Sequence, residues 1–160
     1  MIRRFASNKS GAAAAEFVLA LPIMLALMFD AMEAGHIFWT QHKIIKSVHD
    51  DACFASRLDV GLLCAGDAQT LTNIRNVTAT GQVAAGGLPK VPGWNPANVN
   101  VTVSCDSFVD TGIYSDLGER GPLVTVSSAA VPYPSILASL GFIDGSFNLS
   151  AQSSSAVMGI

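Results

Sequence analysis

Charge is what this chain has least of. Only 13% of its 160 residues are Asp, Glu, Lys or Arg, against about 25% in ordinary soluble domains. Half of the residues are hydrophobic and the mean hydropathy is +0.43. This balance argues against a free cytosolic enzyme and for a protein held in a membrane or an assembly. A basic excess is also missing. The formal net charge is −3, whereas a nucleic-acid partner calls for a basic face. A single domain plus at most an anchoring segment fits the length, and there are no internal repeats.

The residue groups that carry chemistry are equally sparse. No glycine-rich phosphate loop is present. His36, His42 and His49 are six and seven residues apart, which does not supply the i, i+4 geometry of paired metal ligands on a helix. Asp110-Thr111-Gly112 follows Phe108-Val109 and superficially matches an aspartic-protease motif. Such a protease needs two aspartates sharing a proton, and the motif occurs once. Asp106, Asp110, Asp116 and Glu119 are oxygen donors, but their spacing is not that of a calcium-binding EF-hand loop. We read them as a solvated, glycine-punctuated loop. No nucleophile with an oriented base is defined. The expectation is a non-enzymatic chain with no catalytic residue, no cofactor and no metal site.

The charge that is present is unevenly placed. Arg3, Arg4 and Lys9 precede Gly11, with no acidic residue among them. The rest of the chain holds six basic and twelve acidic residues. By the positive-inside tendency the basic end stays cytoplasmic and the remainder crosses. The run Ala12–Phe29 is eighteen residues long with one charge, Glu16. That is close to the lower limit for a bilayer span, and its flanks do not fit a signal-peptide core ending at a small-residue cleavage site. A carboxylate in a span is costly, about 2.5–3.5 kcal/mol at mid-membrane, and implies a use. Pro22 lies inside the run and favours a kink.

The helical pattern runs on past the span. Asp30 and Glu33 mark its exit, and Phe38 and Trp39 suit an interfacial position. Ile45, Val48, Ala52 and Ala55 form one face, and neither proline nor glycine occurs between residues 36 and 60. These signals predict one helix from Ala12 to Leu58, roughly 70 Å long, membrane-spanning over about 12–30. Asp67 caps a short helix over Ala68, Leu71 and Ile74. Residues 81–98 read as a loop. Strands are predicted at Val99–Cys105, Leu123–Ala130 and Phe147–Gln152, with a short apolar patch at Ile136–Ile143. The expected fold class is α+β, with the second half of the long helix packed on a small antiparallel sheet.

Three cysteines remain: Cys53, Cys64 and Cys105. An exported body permits a disulfide. Cys64 and Cys105 fall in the globular part and are the favoured pair, with Cys53–Cys64 as the rival. Cys53 then reads as a buried apolar thiol.

The basic leader ending in Gly11, the Ala12–Ala15 stretch, Glu16-Phe17 and the hydrophobic helix together resemble the processing site of type IV pilins. Glutamate fifth after the glycine, followed by an aromatic residue, is similar to the tight-adherence (Tad, type IVc) branch. Length, long helix and small β-rich end resemble its TadE-like minor pilins or pseudopilins, with the TadF-like alternative open. The resemblance implies a leader of residues 1–11, a helix over 12–58 and an extracytoplasmic domain over 59–160. It implies cutting between Gly11 and Ala12 by a prepilin peptidase, and assembly through Glu16 and Phe17. It further implies helix softening at Pro22. The implied partners are that peptidase, other pilins and pseudopilins, an inner-membrane assembly platform and the lipid bilayer, with no nucleic acid. The implied location is the bacterial inner membrane, single-pass. The alternative from a different class is an extracytoplasmic binding domain on an uncleaved signal anchor, in which Gly11 and Glu16 are incidental.

Overall fold

A computed structural model describes residues 9–105, 122–141 and 147–158. Arg3 and Arg4, the acidic loop with Asp106, Asp110, Asp116 and Glu119, and the end of the Ile136–Ile143 patch lie outside the described residues. The elements run α1 (Lys9–Ala55), α2 (Val60–Cys64), α3 (Ala68–Thr80), a 3-10 turn (Pro96–Asn98), β1 (Val99–Ser104), β2 (Leu123–Pro132), α4 (Ile136–Ser139) and β3 (Asn148–Ala156). The chain forms two compact units, one up to His36 and one from Ile37 onward.

The long apolar helix exists, with shifted ends. It is already helical at Lys9, the first described residue, and continues through Gly11 and Pro22. It stops at Ala55 rather than Leu58. There the backbone tightens, Arg57 N donating to Phe54 O and Leu58 N to Ala55 O. Asp59 then opens α2 by accepting from Leu62 N at 2.9 Å. An aspartate side chain satisfies an otherwise orphaned N–H at a helix start, so the sequence 56–59 serves a new helix rather than prolonging the old one.

Within the second unit, α1 buries Ile44, Val48, Ala52 and Ala55, each fully. The expected stripe is therefore corrected at its first member. Ile45 is 46% exposed, and Ile44 takes the core position. Spacings of 4, 4 and 3 hold the four side chains on one face, and Ile45 lies about 100° round the helix from Ile44.

The sheet is antiparallel in the order β1-β2-β3. Val99 and Val101 of β1, and Val124 and Val126 of β2, point into the same cluster as the α1 stripe, Ile74 of α3 and Leu149 of β3. The alternate residues Asn100, Thr102 and Ser104 are exposed, as period-2 alternation requires for a sheet with one wet face. Each buried valine or isoleucine contributes on the order of 1.5–3 kcal/mol.

Two features extend the sheet beyond its expected bounds. β2 passes a register shift between Ser128 and Val131, where Ala130 takes φ 56°, and runs on to Pro132. β3 reaches Ala156, with Thr125 and Ser154 hydroxyls 2.8 Å apart across the strands.

The region 81–98 is not merely a connector. Trp94 is 2% exposed, and its indole Nε1 donates to Ser128 Oγ at 2.8 Å. Gly93 makes this possible. Its φ is +80°, and a Cβ there would sit 2.8 Å from Pro132 Cγ, so only glycine fits both conformation and space.

Candidate assembly helix and its supporting unit

The first unit is a bare apolar helix. An 18-residue window within Ala13–Ala55 has a mean hydropathy of 1.9, and none of it is buried in the structure. Phe17, Val18, Leu19, Ile23, Met24 and Leu27 are all more than 60% exposed. Apolar groups on consecutive residues leave no polar face, and a helix apolar all round is stable only when lipid or other helices surround it.

Glu16 and Phe17 are both exposed in the first part of this helix. Glu16 is four residues beyond Ala12, so the two share a face about one turn apart. Gly11 is helical and exposed, and an added Cβ there would meet nothing within 4 Å. Pro22 is likewise exposed inside the continuous helix. Further along, Asp30 is exposed and Glu33 is buried.

The second unit is held together by devices that the sequence shows unequally. Cys64 and Cys105 form a disulfide across 41 residues, and Cys53 is a free thiol. Asp67 caps α3, accepting from Thr70 N and Thr70 Oγ1, and these hydrogen bonds lower its carboxyl below the ordinary range.

A polar network pins the loop after α3 to α1. Lys90 Nζ donates to Ser47 Oγ at 2.6 Å and lies 3.8 Å from Asp51 Oδ2. Ser47 Oγ donates to Thr78 O at 2.7 Å. Lys43 Nζ in turn donates to Lys90 O at 2.8 Å. The Asp51 side chain is 3% exposed. Burial raises its carboxyl above the ordinary value, opposed by the Lys90 ammonium and by the Ser47 and Thr78 hydrogen bonds. Sequence reasoning missed this network. Lys90 is an isolated cation in a glycine- and proline-rich stretch, and no spacing rule links it to a helix more than 40 residues earlier.

Among the described residues, no group of three His, Cys, Asp or Glu side chains is placed to hold a metal ion. His42 and His49 are exposed, with His49 Nδ1 3.3 Å from Ser153 Oγ. Disulfide, caps and network together tie the elements of the second unit to one another.

The family model described as TadE-like protein matches residues 11–50. The N-terminal segment is TadE-like. The matched quarter of the chain starts at Gly11, takes in Glu16, Phe17 and Pro22, and ends within α1. The TadE-like segment therefore covers the bare apolar helix and the first part of the stripe that enters the core. No curated protein and no solved structure matches the chain.

Proposed function

We propose that the chain is a structural minor pilin or pseudopilin of a Tad-type pilus, anchored in the bacterial inner membrane before assembly. The observation that carries this reading is the exposed apolar stretch of residues 13–29, whose single carboxylate is Glu16, inside the TadE-like segment. A prepilin peptidase would cut between Gly11 and Ala12 and leave Ala12 with a free α-amine. Glycine inside a helix costs about 1 kcal/mol relative to alanine, so Gly11 weakens the helix where a peptidase would have to unwind it. The new ammonium would neutralise Glu16, on its own chain one turn away or on a neighbour. In a low-dielectric bundle that pairing offsets the cost of the carboxylate far more than it would in water. The small Ala12–Ala15 surface would let neighbouring helices approach closely. Pro22 would soften the helix during extraction from the bilayer. The unit from Ile37 onward would lie outside the cytoplasm, where the Cys64–Cys105 bridge is stable.

The test is intact mass and N-terminal sequencing of the membrane-extracted protein, with and without the host's prepilin peptidase. A mature chain starting at Ala12 only in the presence of the peptidase is expected. A chain still starting at Met1 in both samples overturns the reading and favours a binding domain on an uncleaved signal anchor.

A further inference from the structure

The stretch 81–98 and the last turns of α3 border a cavity of about 340 Å³, a volume within the usual range for small-molecule sites. Asn76 lies on the α3 side, Gly86, Gly87 and Pro89 on the loop, and Asn95 and Pro96 at the 3-10 turn. The loop is tied down in several places. Lys90 N donates to Ala79 O at 2.8 Å, Trp94 N to Val91 O at 3.0 Å and Trp94 Nε1 to Ser128 Oγ at 2.8 Å. The walls are therefore held in place by the fold itself. Their lining residues include no Asp, Glu, Lys or Arg.

Two amides in these walls have hydrogen-bonding capacity to spare. Asn76 is only 8% exposed. Its Nδ2 donates to Val83 O at 3.1 Å, and its Oδ1 has no partner among the described residues. Asn95 Oδ1 accepts from Ala97 N at 2.9 Å, which leaves its Nδ2 without a partner among the same residues. The backbone N–H groups of Gly86 and Gly87 are likewise unpaired among them. An ion entering such a lining would give up its water without meeting a counter-charge, so the chemistry favours a neutral ligand. A hydroxyl both donates and accepts. A polyol can therefore meet Asn76 Oδ1 and Asn95 Nδ2 with one kind of group, while Pro89 and Pro96 offer apolar surface to its C–H bonds. A peptide held through its backbone calls for the regular row of groups along a strand edge, and no lining residue belongs to a strand.

We propose that this cavity binds a neutral sugar ring, its hydroxyls donating to Asn76 Oδ1 and accepting from Asn95 Nδ2 and the Gly86 and Gly87 N–H groups. The cavity lies wholly within the unit that begins at Ile37. The proposal therefore stands whether or not residues 13–29 cross a bilayer.

The full-length protein, in a detergent without a sugar headgroup, is titrated with methyl glucoside, methyl galactoside, methyl mannoside and N-acetylglucosamine, and binding is read by saturation-transfer NMR. At least one of these should saturate, with half-saturation in the millimolar range expected of so small a ligand. Asn95→Asp keeps the oxygen that caps Ala97 N and replaces the unpaired N–H with a carboxylate oxygen. It should raise the half-saturation concentration about fivefold or more, with Trp94 emission unchanged as the check on folding. Gln69→Glu makes the same change of charge at an exposed position of α3 and should bind as the unmodified chain does. Failure of all four sugars to saturate up to about 50 mM overturns the proposal. Undiminished binding by Asn95→Asp, or equal weakening in Gln69→Glu, overturns it too. Saturation by acetyl-trialanine amide and by none of the sugars overturns it in favour of a peptide.

Discussion

The Cys64–Cys105 bridge closes a loop of 41 residues between α2 and the end of β1. In the chain-entropy description, a bridge over that separation removes about 13 cal/mol/K from the unfolded ensemble, or about 4 kcal/mol at 25 °C. Few single covalent changes in a domain of this size reach that figure, because total stability is only about 5–15 kcal/mol. Paired Cys64→Ser and Cys105→Ser substitutions should therefore leave a unit close to its unfolding threshold. With a urea slope of about 2 kcal/mol/M, the midpoint should fall by about 2 M. The assay is urea unfolding of the full-length protein in mild detergent, followed by Trp94 emission, since Trp94 is buried against Ser128 in the folded state. Cys53→Ser provides the control and should leave both the midpoint and the bridge unchanged. Maleimide mass labelling of the unfolded oxidised protein should find one reactive thiol in the unmodified chain and none in Cys53→Ser. A midpoint that moves by less than about 0.5 M on loss of the bridge would refute the entropic argument. Two reactive thiols in oxidised Cys53→Ser would refute the pairing itself.

Other expectations follow from the core and the network. Ile44→Ala should cost about 2–5 kcal/mol as a cavity in the core, whereas Ile45→Ala should cost well under half of that because its side chain is 46% exposed. Equal losses in chemical unfolding would contradict the assigned face. Gly93→Ala should destabilise by at least about 1–2 kcal/mol for its positive φ, with more from the clash at Pro132. A blue-shifted, unperturbed Trp94 signal with an unchanged midpoint would show the site to be more forgiving. Asp51 titrates above its ordinary value because it is buried. Its folded form binds a proton more tightly than its unfolded form, so its stabilising contribution is complete below the unfolded pKa of about 3.9 and is lost as pH rises through the raised folded value. Urea midpoints from about pH 4 upward should fall in the unmodified chain relative to Asp51→Asn, and parallel curves would reject the assignment.

What the sequence shows and hides here follows from the range of each signal. Periodicity is local, so the long helix, the alternation of Val99, Val101 and Val103, and the Asp67 cap are all visible in it. It does not choose between Ile44 and Ile45. Both are apolar, both fit a stripe through Val48, and the choice is made by the sheet and α3 packed against the helix. α3 runs to Thr80, past the expected Ile74, although Thr72, Asn73, Asn76, Thr78 and Thr80 are poor helix formers. Their backbone competition is turned inward, Thr72, Thr78 and Thr80 hydroxyls donating to carbonyls four residues back. Trp94 and Lys90 were hidden for the opposite reason. Each sits among glycines and prolines that locally signal only a loop, and each finds its partner through tertiary contacts with Ser128 and Ser47.

α1 has to satisfy two solvents with one continuous backbone pattern. From Ile37 onward its buried stripe is narrow, and polar residues such as Lys46, His49 and Asp50 cover the rest. Before Phe29 the side chains are apolar on every side, and none of the apolar window is buried. The energetic consequence is directional. Burying Phe17, Leu19, Ile23 and Leu27 is worth roughly 1.5–3 kcal/mol for each side chain, and that free energy is realised only when lipid or neighbouring helices supply the surface. Lipid supplies it without specificity. Neighbouring helices can supply it together with a counter-charge for Glu16, which hydrocarbon does not. Under the proposed pilin reading, the apolar residues would make a membrane and a filament core comparable hosts, and Glu16 would be the group whose pairing tips the balance toward the filament.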